Sequence, residues 1–384
     1  MYSKSRDKFP VGLVVSTFVN KCGNMGLQLL PMLLIEKNFS VSTASFIMGA
    51  TKSVAPLGSF FSGNIIVFLG AKFVLLATFL LSAVTMGFIP FINSPFFLGL
   101  FAITANFAAT IYNPVARSII KETFPPLQLK KYLAWLRSAS NLGQVVSSAM
   151  AIFLGKMGLM ILFVFDSFTS LLAFFIGRMA IQNPKSVKQP DVSGDAGQSF
   201  IAEGYYTYTI LMAVYFFVYE LGFLSFSALA KINFGDQGIS AFGIVMIINT
   251  FLCGGLAVPA ARYLSSGKIW ITVGFILTIL GPLVLTFLPK TILVLSLGAF
   301  LLTLGEILVA VFSQTLLLQN CGGKLGQIHY GRGLTIQKTG NFLAGVILFP
   351  VVVYGQTPWL PFLLAVIVFF AILVLIPRSF FHKA

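Results

Sequence analysis

Three sets of polar residues sit inside otherwise apolar runs at spacings that place each set on one side of a helix. Asn106, Thr110, Asn113 and Arg117 fall at i, i+4, i+7 and i+11 among Phe, Ala and Ile. Arg137, Asn141, Gln144 and Ser148 repeat the device, and Lys21, Asn24 and Gln28 form a shorter stripe at i, i+3 and i+7. Lys52, Asp166, Glu220, Glu306 and Lys338 are single charges in similarly oily surroundings.

The chemistry open to such groups is binding and proton transfer. Lys21, Lys52, Arg137 and Lys338 attract an anionic group where the dielectric is low, and Arg can grip a carboxylate or phosphate through two hydrogen bonds. The competing reading is internal neutralisation by Asp166, Glu220 and Glu306, yet three such pairs leave one base unmatched. For Glu220 and Glu306, one reading is a carboxyl that loads and releases a proton; the other is a strut held permanently by a buried base. Asn106, Asn113, Asn141 and Asn341 complete the candidate binding set.

Composition says what must hold these groups. The chain of 384 residues is 57% hydrophobic, 14% aromatic and only 9% charged, with 41 Phe and a mean hydropathy of +0.94. A soluble core does not need that much apolar surface. Helices satisfy their own backbone in lipid, and the apolar runs are too long for barrel strands, so an all-α polytopic membrane protein is expected. Ionisable groups are costly against acyl chains, so the polar stripes should line a shared wet space.

Twelve spans are expected at roughly 9–35, 41–69, 73–91, 96–121, 127–155, 157–180, 204–231, 237–263, 268–288, 291–318, 326–354 and 358–377. The net charge of +15 follows this topology. Of the 25 Lys and Arg, Lys37, Lys156, Lys231 and Lys290 fall on one side and Lys21, Lys52, Arg137 and Lys338 within spans; the rest lie on the side of the termini. That asymmetry puts both termini in the cytoplasm and removes the case for a nucleic-acid partner. The Pro, Gly, Ser and charge-rich stretch before residue 204 reads as a linker at 184–203 between two six-helix bundles, 1–183 and 204–384. Lys72 with Lys268, and Asn141 with Asn341, hold matching positions in the two halves.

The N-terminal Lys and Arg before an apolar run imitate a signal peptide; with no small-x-small site following and Lys21 interrupting, it reads as an uncleaved first helix. Cys22, Cys253 and Cys321 make no paired framework or metal pattern and read as packing residues. His329 and His382 have no evident metal or catalytic partner. Neither a phosphate-binding Gly-Lys-Ser/Thr loop nor a hydrolase or metalloprotease motif is present, so no catalytic residue, metal or cofactor is expected. Tyr208, Tyr215 and Tyr219 form a stripe that suits either an aromatic wall or ordinary packing. Pro56, Pro114, Pro259 and Pro350 are expected to kink their spans.

Six plus six helices about a cytoplasmic linker resemble the major facilitator superfamily over the whole chain. Gly63, Gly70 and Lys72 match its loop signature between helices 2 and 3, although Val67 and Phe68 stand where that signature has Asp-Arg, so its charge relay does not carry over. Asn113-Pro114-Val-Ala-Arg117 with Arg137-Ser-Ala-Ser-Asn141-Leu-Gly143 resembles the branch that holds siderophore exporters and the lysophospholipid transporter. So does Leu318-Gln319-Asn-Cys-Gly322-Gly-Lys324 with Thr335-Ile-Gln337-Lys-Thr-Gly-Asn341. The resemblance implies that helices 1, 4, 7 and 10 line a central cavity flanked by 2, 5, 8 and 11. It leaves Asp166, on helix 6, a structural partner.

The reading is a monomeric, multi-pass transporter of the bacterial inner membrane that moves a small, at least partly anionic organic molecule by alternating access. Export by proton antiport is expected, with a siderophore-like carboxylate as cargo. The alternatives are a lysophospholipid flippase or an importer of the same fold. A channel would need a ring of like charge, and an intramembrane enzyme a tight cluster of nucleophile, base and acid; the dispersed charges give neither.

Overall fold

The computed structural model describes residues 8–123, 126–181, 200–264, 267–322, 326–355 and 357–381. They are helical almost throughout, because apolar residues in long runs satisfy backbone groups only by coiling. The helices are α1 (Lys8–Cys22), α2 (Gly26–Glu36), α3 (Val41–Leu69), α4 (Ala71–Phe88), α5 (Pro95–Thr123), α6 (Pro126–Leu154) and α7 (Leu159–Ala180). After residues 182–199 follow α8 (Tyr205–Phe234), α9 (Gly238–Tyr263), α10 (Gly267–Phe287), α11 (Ile292–Gln319), α12 (Gly326–Ile347), α13 (Leu360–Leu375) and the short α14 (Arg378–Phe381). By length and composition, seven stretches among the described residues can cross a membrane.

The first expected span is broken. Residues 23–25 leave the helix between α1 and α2, so the stripe of Lys21, Asn24 and Gln28 starts on one helix, crosses the break and ends on the next. The cause is tertiary. Gly23 lies against α7, where a Cβ would stand 2.6 Å from the Asp166 Cα, and only a bare backbone fits. Of the four prolines expected to kink spans, Pro350 falls in a π-helical turn, Leu348–Val353, that follows α12. Pro56, Pro114 and Pro259 lie inside α3, α5 and α9.

Helices α1–α7 and α8–α14 form two groups that meet along three seams: α3 on α12, α6 on α9, and α2 on α8. Glycines set the close approaches. A Cβ at Gly345 would lie 2.8 Å from the Met48 carbonyl oxygen, one at Gly155 2.5 Å from Ile239, and one at Gly243 2.7 Å from Ile152. All of these lie near the ends of the helices remote from the chain termini. At the termini end, Gly12 of α1 packs on Ala180 of α7, and Gly204 abuts Pro377. Asn113, Arg117, Arg137 and Arg332 are exposed.

A short antiparallel pairing, β1 (Phe200–Ile201) with β2 (Cys321–Gly322), was not foreseen. It fastens the end of the expected linker to the α11–α12 connection. Buried Asn320 donates from Nδ2 to the Phe380 carbonyl oxygen, tying α14 to the same corner. Most of the expected linker, residues 184–199, and His382 lie outside the described residues.

Candidate functional site

The first cluster lies inside the α1–α7 group, at the break. Ending α1 at Cys22 and restarting at Gly26 strands backbone N–H groups at the new helix start, and a buried donor needs an acceptor. The Asp166 carboxylate supplies it, accepting from the Gly26 N–H at 3.1 Å. An anion there also opposes the positive end of the α2 dipole. Asp166 is 4% exposed. The expectation of a structural partner for this residue therefore has a geometric basis, although the contact is to a backbone amide.

Lys21 acts on Asp166 through space but makes no ion pair with it. Its ammonium stands 5.5 Å from the centre of the Tyr112 ring, a cation–π contact. Tyr112 is held in turn by its hydroxyl, which donates to Thr17. Asn20 donates to the Ser170 hydroxyl at 3.0 Å, and Asn24 to Gln144 Oε1 at 3.2 Å. Gly143 lets α6 come that near, since a Cβ there would be 2.6 Å from the Lys21 Cβ. Gln28 Oε1 is buried with no hydrogen-bond partner. Of these, Asn20, Lys21, Asn24, Gln28, Tyr112 and Asp166 border a cavity of about 170 Å³ between α1/α2, α4, α5 and α7.

The second cluster joins the two groups. Lys52 Nζ of α3 contacts Glu220 Oε1 of α8 at 2.5 Å, with the side chains 16% and 13% exposed. Beside it, Asn106 of α5 donates to the carbonyl oxygen of Thr51, the residue before Lys52, at 2.6 Å. Nearer the helix ends Lys231 pairs with Glu36 at 3.2 Å, but Glu36 is 47% exposed.

The third cluster centres on Glu306 of α11. Asn249 of α9 donates to its Oε2 at 2.8 Å and to Thr303 at 3.2 Å. The Tyr219 hydroxyl and the Cys253 thiol face the same carboxylate, and Arg137 of α6 acts on it from the other group. Tyr219 belongs to a stacked ladder on α8 with Tyr215, 6.2 Å between centres, and Phe223, 6.1 Å. Tyr208 instead packs on Phe380 and Phe381. The tyrosine stripe thus divides, with Tyr208 packed on α14 and Tyr215 and Tyr219 stacked on one another.

The candidate residues are therefore distributed. Lys21, Asn24 and Gln28 share the first cluster; Lys52, Asn106 and Glu220 the second; Arg137 and Glu306 the third. Asn141 is half-buried on α6 and Asn113 exposed on α5. Lys338 and Asn341 lie partly buried on α12, where Asn341 Oδ1 and Gln337 Nε2 have no hydrogen-bond partner. Sequence reasoning missed Asn249, Thr303, Cys253 and Tyr112. Asn249 and Cys253 fall at i and i+4, and Thr303 and Glu306 at i and i+3, a signal too short to separate from ordinary apolar helix. No group of three or more His, Cys, Asp or Glu able to hold a metal occurs among the described residues.

The sequence model of the Major Facilitator Superfamily matches residues 13–349. No curated protein matches significantly. Among solved structures the fold is similar to that of a mutant of the nucleoside transporter NupG (TM-score 0.76, 12% identity, 95% of this chain and 99% of that one). It is also similar to that of a D-xylose–proton symporter (0.71, 14%, 99% and 99%). A third is an inward-facing, occupied bacterial homologue of the human lysosomal transporter Spinster (0.70, 11%, 98% and 97%).

Proposed function

The chain belongs to the major facilitator superfamily, a multi-pass secondary transporter and not an enzyme, and from this we propose that its cargo is a small organic molecule bearing a carboxylate or similar anion, moved together with protons. One observation carries the reading: of the four bases within expected spans, the partly buried Lys21 and the exposed Arg137 stand in no ion pair among the described residues, although each has a carboxylate in its field. A cation kept near a carboxylate but not joined to it leaves room for a second anion. Lys52 is already closed off by Glu220, which makes that pair a latch between the groups. Glu306 is the better proton carrier, because its neighbours Asn249, Tyr219 and Cys253 are neutral donors. Asn113, Asn141, Lys338 and Asn341 would line the approach.

The family resemblance favours export by antiport across a bacterial inner membrane; hydropathy supports twelve spans and the Lys/Arg asymmetry supports cytoplasmic termini. The charge arrangement supports the importer alternative, since an anion entering beside a carboxylate is least costly if a proton enters with it. We adopt proton–anion cotransport. The test is uptake of labelled hydroxy- and tricarboxylates into proteoliposomes under an imposed pH gradient, acid outside. Uptake should rise with the gradient in the wild type and lose that dependence in Glu306→Gln. Accumulation driven instead by an alkaline exterior would restore antiport, and uptake of neutral sugars or nucleosides alone would remove the anionic cargo.

A further inference from the structure

The cavity at the α1/α2 break is not on the seam between the groups: every residue lining it belongs to α1, α2, α4, α5, α7 or the break itself. Lys21 and Asp166 face it without meeting each other. We propose that this cavity is a second loading site, which takes a short hydroxycarboxylate, or the hydroxycarboxylate end of a longer cargo, on Lys21 and a proton on Asp166 together. The proposal rests on the reading of the chain as a carrier of organic anions and adds a proton seat remote from Glu306.

Three observations lead there. Size comes first: an engineered protein cavity of about 150 Å³ takes benzene, so about 170 Å³ admits a molecule of that scale and no bulky chelator. Charge is second. Lys21 and Asp166 balance; a carboxylate entering alone would leave the cavity with one excess negative charge, at a desolvation cost of several kcal/mol. A proton taken from water by the Asp166 carboxylate restores neutrality, and it leaves again when the anion does. Among the described residues no other charged side chain lines the cavity. Asp166 is bonded by Ser170 of its own helix and by the Gly26 amide of α2; around the same cavity stand Lys21 and Asn20 from α1, Thr78 and Ser82 from α4, and Tyr112 from α5, whose hydroxyl is committed to Thr17, while Gln144 of α6 is neutral. The third observation is Gln28 Oε1, a buried acceptor with no donor. A hydroxyl on the cargo would satisfy it, which favours a hydroxy acid over a plain fatty acid.

Infrared difference spectra of the full chain in liposomes, recorded on adding lactate at constant pH, test this, with propionate as the control lacking the hydroxyl. The stretching band of a protonated carboxyl should grow in the wild type and grow less with propionate. It should be lost in Asp166→Asn, which keeps an oxygen to accept from Gly26, and in Lys21→Met, which has no anion seat. It should persist in Glu306→Gln. If Asp166→Asn does not fold, Lys21→Met/Asp166→Asn, which leaves no unbalanced charge, replaces it. A band that persists in Asp166→Asn and disappears in Glu306→Gln overturns the second site while leaving anion transport standing. No band in folded wild-type protein overturns it as well, and the gradient-driven uptake experiment then judges the transport reading separately.

Discussion

Removing Lys52 or Glu220 singly should open the end of the molecule remote from the termini, whereas removing both should not. At 2.5 Å and an effective dielectric of about 20, the gross attraction is about 7 kcal/mol. Desolvation of two side chains that are only 16% and 13% exposed takes back most of it, so the net worth of the pair is small. A single substitution is different, because the survivor is left charged and buried, at a cost of about 3–5 kcal/mol. That cost falls on the conformer seen here, in which α3 and α8 are held together; where the groups part at this end, a lone charge reaches water. About 3 kcal/mol is a shift of roughly a hundredfold in the balance of conformers. Lys52→Met and Glu220→Gln should each broaden and lengthen the distance between spin labels at Asn38→Cys and Asp236→Cys, exposed positions on opposite groups, in a background with Cys22, Cys253 and Cys321 replaced. The double variant should return toward the wild-type distance, giving a coupling energy of the same size. Single variants whose distance distributions overlay the wild type would refute the latch.

The exposed pair provides a contrast: Glu36→Gln removes an interaction worth at most about 1 kcal/mol at such exposure, so the same label pair should move little. Gly23→Ala would drive a Cβ into the backbone of α7 at Asp166, 2.6 Å away, and should cost about 1–3 kcal/mol. A melting temperature unchanged in detergent would mean that this contact does not fix the break. Arg137→Gln should raise KM for an organic anion tenfold to hundredfold, the range of about 1.5–3 kcal/mol for a hydrogen bond to a charged group. Arg137→Lys should recover part of it, and an unaltered KM would take Arg137 out of the binding site. Gly305→Ala would set a Cβ 2.6 Å from the Thr278 backbone nitrogen where α10 and α11 cross. The purified protein should then melt lower and be cut sooner by protease, and equal resistance would show that the crossing tolerates a wider spacing.

Hydropathy alone located the long helices, because in lipid the backbone leaves an apolar run no other solution. It also drew attention to the buried charges, and Lys52–Glu220 was within reach of a pairing argument, since both lie mid-span and opposite in sign. What stayed hidden was anything decided by the approach of a distant helix. Gly23-Asn24-Met25 is a weak breaker on local propensity, and the unbroken spacing of Lys21, Asn24 and Gln28 argued for continuity. The break is stabilised by Asp166, a residue 140 positions later whose helix arrives only when α7 packs on α1. For the same reason Asp166 read as a strut rather than as a neighbour of Lys21. One side chain answers two needs of the sequence: the amide freed at Gly26 requires an acceptor, and the ammonium at Lys21 requires a counter-charge. Had Asp166 met both by direct contact, the pair would be inert. It contacts the amide and stands off the ammonium, so the lysine keeps its capacity for another anion, and any anion it takes must be balanced by something mobile. If that mobile charge is the proton proposed above, the position of one carboxylate sets which way cargo and proton move relative to each other.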